Sequence, residues 1–153
     1  MRSVVNINGK RIQLTPAQLI QTGGEGMVFR VGNTAVKIYH HPTPQRQAKL
    51  QHLLQMASRL PEAVLAPHTA VTDANNQIIG LQMPLLPPGS QPIKRLSNPA
   101  WRQKQAIRPG AIAALLARVH QTITRLHQQQ IVIGDLNDTN VFFQPGNPAP
   151  FFI

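Results

Sequence analysis

The segment from His127 to Phe143, HQQQIVIGDLNDTNVFF, constrains this chain more than any other. It sets Asp135 and Asn140 five residues apart in a short polar loop. Ile131-Val132 leads into the loop and Val141-Phe142-Phe143 leads out of it. Strands on both sides would fix the two polar groups against a rigid floor. Phosphoryl transfer from ATP uses such a pair. A carboxylate orients the attacking hydroxyl, and a neutral oxygen donor a turn later holds a magnesium ion. Asp and Asn also fill ordinary polar loops, so the pair gains its weight from what lies upstream.

The 153 residues suffice for one ordinary domain with a core. The absence of cysteine excludes disulfides, thiolate metal sites and thiol nucleophiles. The N-terminal MRSVVNINGK lacks the apolar centre of a signal peptide, and no apolar run is long enough to span a membrane. A cytoplasmic protein with no membrane partner is expected. Fifteen Lys and Arg against five Asp and Glu give a formal charge of +10. Between Asp73 and Asp135 every charged residue is basic: Lys94, Arg95, Arg102, Lys104, Arg108, Arg118 and Arg125. An anionic partner such as nucleic acid would suit this stretch. A solvated basic face is preferred, because aromatic residues are few and do not interleave with the basic ones.

Val4 to Leu14 alternates around Asn8-Gly9, a hairpin signal. Met27–Val31 and Thr34–Tyr39 read as strands joined at Gly32-Asn33, and Ala70–Thr72 and Ile78–Met83 as a pair turning at Asn75-Asn76. Gln45 to Leu60 has a helical pattern with Leu50, Leu53, Leu54 and Ala57 on one face. The Pro/Gly-rich stretch Pro84 to Pro99 reads as a linker. Gly110 to Gln129 is the clearest helix, with Ile112, Leu115, Leu116, Val119, Ile123 and Leu126 along one stripe. His127 reads as a hydrogen-bonded core residue and Trp101 as a packing residue. After the polar loop come a strand from Val141 to Gln144, a turn at Pro145-Gly146-Asn147 and the apolar Phe151-Phe152-Ile153. The expected order is a five-stranded unit with one inserted helix, a linker, then a helical unit carrying a β-hairpin.

Gly23-Gly24-Glu25-Gly26 lies between strand-like segments. Glycines let main-chain N–H groups approach phosphate oxygens, though the tetrapeptide alone reads as a hairpin turn. Val28 follows, then Ala35-Val36-Lys37 on the next strand. A lysine in the middle of an apolar strand pair must find an anion or reach solvent. The small Ala35 beside it would leave room for a flat ring.

The strings TGGEGMVFRV and NTAVKIYH resemble the glycine-rich loop and Ala-x-Lys strand of protein kinases. GLQMPLLPPGSQPIKRL is similar to the last strand and hinge of their N-lobe, and RLHQQQIVIGDLNDTNVFF to their catalytic segment. The resemblance covers essentially the whole chain and is nearest to an atypical bacterial protein-kinase-like group. It rests on four ordered matches, none specific by itself. It implies an α+β, protein-kinase-like fold: a five-stranded N-lobe with one helix over 1–83, a hinge over 84–99, and an incomplete, mainly helical C-lobe over 100–153. It also implies ATP and Mg²⁺ as cofactors and a protein substrate. Gly23 and Gly26, with Gly24 between them, match the loop over the ATP phosphates. Lys37 matches the lysine that pairs with the α/β-phosphates. Val28 and Ala35 would face adenine, and Met83 to Leu85 would supply backbone hydrogen bonds to it. Asp135 matches the catalytic aspartate and Asn140 the metal-binding asparagine.

The chain departs from that pattern at several points. Gln21 stands where the first loop glycine usually is. Ile133-Gly134 replaces the usual His-Arg, which removes the partner of a phosphorylated activation loop. Asn137 stands where an ordinary serine/threonine kinase has lysine. No glutamate lies between Lys37 and Leu60, so the usual lysine–glutamate pair on the inserted helix cannot form. Phosphate, or another acid such as Glu25, is left to position Lys37. The sequence reaches Ile153 before the second metal-binding aspartate of the family pattern, so a truncated, incomplete domain that is inactive alone is expected. The leading function is ATP-dependent phosphoryl transfer to a protein hydroxyl. The alternatives are a pseudokinase acting as a nucleotide-binding scaffold, and a small-molecule phosphotransferase of the aminoglycoside-phosphotransferase type, which shares Gly134-Asp135. A nucleic-acid-binding module is the most distant reading.

Overall fold

The structure, a computed structural model, describes residues 3–153. It is mixed α+β, and the chain divides into two units. The first runs to Arg59 and includes Ala66–Leu85; the second comprises Leu60–Leu65 and Leu86–Ile153.

The first unit begins with β1 (Ser3–Ile7) and β2 (Lys10–Leu14). Asn8 and Gly9 between them both take positive φ, 50° and 76°, the two-residue turn that Asn-Gly favours because its twist matches the flanking strands. Then follow β3 (Leu19–Thr22), β4 (Gly26–Val31), β5 (Thr34–Tyr39), α1 (Pro44–Met56), β6 (Thr69–Thr72) and β7 (Ile78–Pro84). The sheet is antiparallel with order β2-β1-β6-β7-β5-β4-β3.

Seven strands stand where five were expected. The hairpin joins the sheet because Asn6 and Ile7 of β1 pair with Thr72 and Val71 of β6. β3 is an added edge strand, paired with β4 across a register shift between Leu19 and Gln21. All four of its residues are exposed, so pairing rather than burial makes it a strand, and its sequence carried no alternating signal. The core lies on one face of the sheet: Val5, Ile7, Phe29, Val36 and Val71, with Leu14, are buried against Met27, Val31, Ile38 and Ile79.

Helix α1 is shorter than its pattern suggested. It starts at Pro44, which suits the first helical position because its missing N–H needs no partner there. The Thr43 hydroxyl caps the Arg46 N–H. A 3-10 turn, Ala57–Arg59, replaces its expected end. Leu50 is its buried residue, and Gln47 Nε2 donates to the Ile78 carbonyl at 3.1 Å, tying the helix to β7.

In the second unit, the expected linker is built into structure. It holds β8 (Gln91–Pro92) and a 3-10 helix, Ile93–Ser97. Next come α2 (Pro99–Lys104), capped by the Asn98 side chain on the Trp101 N–H, α3 (Pro109–Gln128), β9 (Val141–Gln144) and β10 (Asn147–Phe152). Strands β10, β9 and β8 form an antiparallel sheet in that order, with α3 packed on β10. Residues 60–65 belong here because Phe152 exchanges backbone bonds with Ala63 and Leu65, both 2.8 Å. Trp101 meets Phe143 edge-on, with ring centroids 6.3 Å apart, and so packs as expected. No helix among the described residues is long and apolar enough to cross a membrane.

On α3 the buried residues are Leu115, Thr122 and Leu126. Thr122 was hidden from a hydropathy pattern; its hydroxyl satisfies itself on the Arg118 carbonyl at 3.0 Å. Leu116, placed on the apolar stripe, is 49% exposed. His127 is exposed, which corrects the core role expected for it. One residue past buried Leu126, it is turned about a quarter of a circle away from the packed face.

Helix α3 ends in a Schellman arrangement. Gln130 N–H donates to the His127 carbonyl and Ile131 N–H to the Leu126 carbonyl, both 2.9 Å. Gln130 takes φ +60° to make it, a position glycine fills without strain. Gln130→Gly is therefore expected to stabilise the protein by about 1 kcal/mol, read from urea unfolding midpoints. Destabilisation would show that the helix end is held some other way.

Candidate functional site

The residues marked by the sequence fall into two sets, one in each unit. Gly23, Gly24, Gly26, Val28, Ala35, Lys37, Met83 and Leu85 lie in the first; Asp135 and Asn140 lie in the second.

Strand pairing decides the first set. Val28 of β4 is opposite Lys37 of β5, Lys37 is opposite Leu81 of β7, and Ala35 is opposite Met83. Directly opposed residues share a face and successive ones alternate. Val28, Ala35, Lys37, Leu81 and Met83 therefore line one face, opposite the core face of Phe29 and Val36. Leu85 lies just past the end of β7. The pairing of β6 with β7 runs only as far as Gln82. Beyond it, that edge of β7 has no strand partner among the described residues.

The glycines of the loop differ in kind. A Cβ on Gly26 would collide with the Ile38 carbonyl, so glycine is required where β4 closes on β5. Gly80 plays the same part on the other side, where a Cβ would strike the Lys37 carbonyl. At Gly24 a Cβ would meet nothing within 4 Å, and at Gly23 only the Gly26 carbonyl at 3.9 Å. Neither has positive φ. Local structure thus gives no reason for glycine at 23 and 24.

The loop is tied back at three points. Gly23 N–H donates to the Gly26 carbonyl at 2.9 Å, and His40 N–H to the Glu25 carbonyl at 3.0 Å. His40 Nε2 lies 3.0 Å from the Gly23 carbonyl. A carbonyl only accepts, so Nε2 carries the proton.

Lys37 Nζ meets Glu25 Oε2 at 2.8 Å. The acid that partners the lysine thus comes from the glycine-rich loop. Arg46, in the first turn of α1, reaches the other carboxylate oxygen at 3.5 Å. Both cations also lie by the Tyr39 ring, Lys37 Nζ 5.8 Å and Arg46 Cζ 5.6 Å from its centroid. The Lys37 hydrogen bond, then its charge, holds the Glu25 carboxyl below its ordinary 4.5; Arg46 and Lys49 add to this and partial burial opposes it. Burial, with the nearby Glu25 charge, raises the Tyr39 phenol. Arg46 and Tyr39 were not marked from the sequence. A signal for Arg46 existed: it is a cation in a helix first turn without an acid, where the helix dipole disfavours it, and such a residue needs an anion nearby.

In the second set, Asn140 Nδ2 donates to the Asp135 carbonyl at 3.0 Å and to Asp135 Oδ2 at 3.1 Å. Both partners only accept, so the amide nitrogen faces Asp135 and Oδ1 turns away. Asn137 Nδ2 donates to Asp135 Oδ1 at 3.0 Å. Its own oxygen accepts from the Thr139 N–H at 2.9 Å and hydroxyl at 2.6 Å. Asn137 is therefore a turn-former. Two backbone bonds anchor the loop: Lys94 N–H to the Asp138 carbonyl at 3.0 Å and Ile153 N–H to the Asn140 carbonyl at 3.1 Å.

Asn140 Oδ1, turned away from Asp135, is a neutral hard oxygen donor of the kind magnesium takes. Among the described residues no three His, Cys, Asp or Glu side chains cluster to make a complete protein cage. No protein-family model matches the chain, and a comparison with curated proteins finds no match.

Two outcomes follow from the loop geometry. Gly26→Ala is expected to cost about 1–3 kcal/mol through overpacking, whereas Gly24→Ala stays within about 0.5 kcal/mol of the parent. Thermal unfolding of both variants checks this, and equal losses would remove the distinction.

The lowered Glu25 value also has a defined sign. Its folded pKa lies below the unfolded one, so the pair's stabilisation is complete above pH 4.5 and is lost as pH falls through the folded value. At 62% exposure of the Glu25 side chain, solvent screening limits it to about 0.2–1 kcal/mol. Comparing stability of the parent and Glu25→Gln from pH 7 down to pH 3 should show the difference shrinking on the acid side. A constant difference would mean that the ion pair contributes nothing.

Proposed function

We propose that the chain is a protein-kinase-like phosphotransferase unit. It binds ATP on the face of β4, β5 and β7 that carries Val28, Ala35, Lys37 and Met83, and serves phosphoryl transfer to a protein hydroxyl. The observation that carries this reading is Lys37. It is an ammonium on an interior strand, 29% exposed, whose partner is a 62% exposed carboxylate in a glycine-rich loop. A phosphate can compete for such a lysine, and small Ala35 beside Val28 suits a flat base. The Gly23 N–H is taken by the Gly26 carbonyl, but Gly24, free of any local demand for glycine, suits the close approach of main-chain groups to phosphate oxygens.

The second unit supports the chemical half of the same reading. Asp135 would orient the hydroxyl, and Asn140 Oδ1, turned away from Asp135, would hold magnesium. The ion would offset charge on the phosphates during transfer. Asn140 fixes the Asp135 carboxylate through its amide nitrogen, so one side chain would serve both orientation and metal binding.

A specific observation also supports nucleotide binding without turnover. Both Asp135 carboxylate oxygens accept side-chain amide hydrogens, from Asn137 and Asn140. These amides occupy carboxylate lone pairs that an attacking hydroxyl would otherwise meet.

Lys37→Met is expected to weaken ATP binding about tenfold or more, since a charge-assisted contact contributes about 1.5–3 kcal/mol. Asp135→Asn should leave ATP affinity unchanged and abolish transfer of labelled phosphate to serine or threonine. Calorimetry and a transfer assay check the two halves. Equal ATP affinity for parent and Lys37→Met would remove Lys37 from the site. ATP binding with no transfer by the parent would favour the binding-only reading.

A further inference from the structure

Glu25 is one carboxylate between two cations. Oε2 accepts from Lys37 Nζ at 2.8 Å and Oε1 faces Arg46 Nη2 at 3.5 Å. One negative charge therefore faces two positive ones, and the cluster keeps one uncompensated positive charge.

The cations and the acid are held differently. Arg46 is anchored without Glu25: its Nη1 donates to the His41 carbonyl at 2.8 Å, and its guanidinium lies by the half-buried Tyr39 ring. Lys37 sits on an interior strand with its ammonium by the same ring. Glu25 projects from the loop between β3 and β4, beside Gly24 with its open space, and its side chain is 62% exposed. Arg46 thus keeps a hydrogen bond and a ring contact that do not depend on Glu25.

We propose that Lys37 and Arg46 form a single two-cation site for a diphosphate or longer phosphate chain, and that Glu25 is its built-in competitor. This rests on the nucleotide reading, with the phosphate chain of the nucleotide as ligand, and adds Arg46 and Glu25 to it as specificity residues. The carboxylate stands where phosphate oxygens would sit, with one oxygen toward each cation. A single phosphate can replace it on one side. A diphosphate carries charge on two linked groups and can meet both cations at once. The competing carboxylate thus lowers the affinity of every anion that must displace it, and the second cation, which only linked phosphates reach together with the first, sets the preference for diphosphates.

The test uses the whole chain with inorganic pyrophosphate, inorganic phosphate and ATP as probes, in calorimetric titrations at fixed salt. Glu25→Gln is expected to tighten pyrophosphate binding about fivefold, the equivalent of one exposed ion pair. In that background Arg46→Met and Lys37→Met should each weaken pyrophosphate about tenfold. Arg46→Met should affect pyrophosphate more than phosphate. Unchanged or weaker pyrophosphate binding by Glu25→Gln overturns the competitor, and unchanged binding by Arg46→Met overturns the second cation. Absence of pyrophosphate binding in every variant overturns the site. If the pyrophosphate results follow expectation while ATP does not bind, the anion site stands and the nucleotide reading fails. Glu25 and Arg46 contribute nothing to the buried core, so the variants are expected to fold, and matched circular dichroism spectra confirm it.

Discussion

A lysine ammonium on an interior strand has to meet negative charge, and much of the first unit can be understood from that requirement. Taking the charge out of water without a partner is costly. Lys37 answers it with Glu25, supplied by the loop that follows β3. That choice depends on close strand contact. Gly26 on β4 and Gly80 on β7 each give up a Cβ so that β5 can lie tightly between them, with its carbonyls against the bare Cα atoms. Gly26 also ends the loop, so the same residue that packs the strands sets where Glu25 projects. His40, just beyond β5, holds the loop from the other end with two hydrogen bonds.

Helix α1 enters this arrangement by way of a residue that is locally unfavourable. A cation in the first turn opposes the helix dipole, yet Arg46 gains Glu25, the His41 carbonyl and the Tyr39 ring. Loop, strand and helix are thereby linked through one exposed carboxylate. The link is weak by construction, since exposed ion pairs contribute little. The Asp135 loop works differently. Its side-chain amides satisfy one another and the carboxylate, and backbone bonds from Lys94 and Ile153 pin its ends.

Much of the fold was legible because the signals were local. Asn8-Gly9 marks its turn by its need for positive φ. Thr34–Tyr39 reads as a strand after the Gly32-Asn33 turn, and the apolar spacing of α3 marks a long helix. What escaped depended on partners distant in sequence. β3 is a strand only because β4 pairs with it. Gln91–Pro92 is one because β9 does. Thr122 is buried because its hydroxyl has a carbonyl to satisfy it. His127 lies in the last turn of α3 and reads as core, but the packed face ends one residue earlier, at Leu126.

The sequence by itself determined which groups are present: one lysine in an apolar strand, a glycine-rich loop with a single acid, no acid on α1, and an aspartate five residues before an asparagine. It also determined the α+β character, since hydrophobic periodicity and turn chemistry act over a few residues. The tertiary structure decided which groups meet. Glu25 is twelve residues from Lys37 and twenty-one from Arg46, and nothing local brings the three together. Strand register sets Lys37 against Val28 and Leu81, and the Gly26 contact aims the loop. Charges separated along the chain become one cluster only after backbone pairing has fixed their positions, and that pairing is a property of the whole sheet.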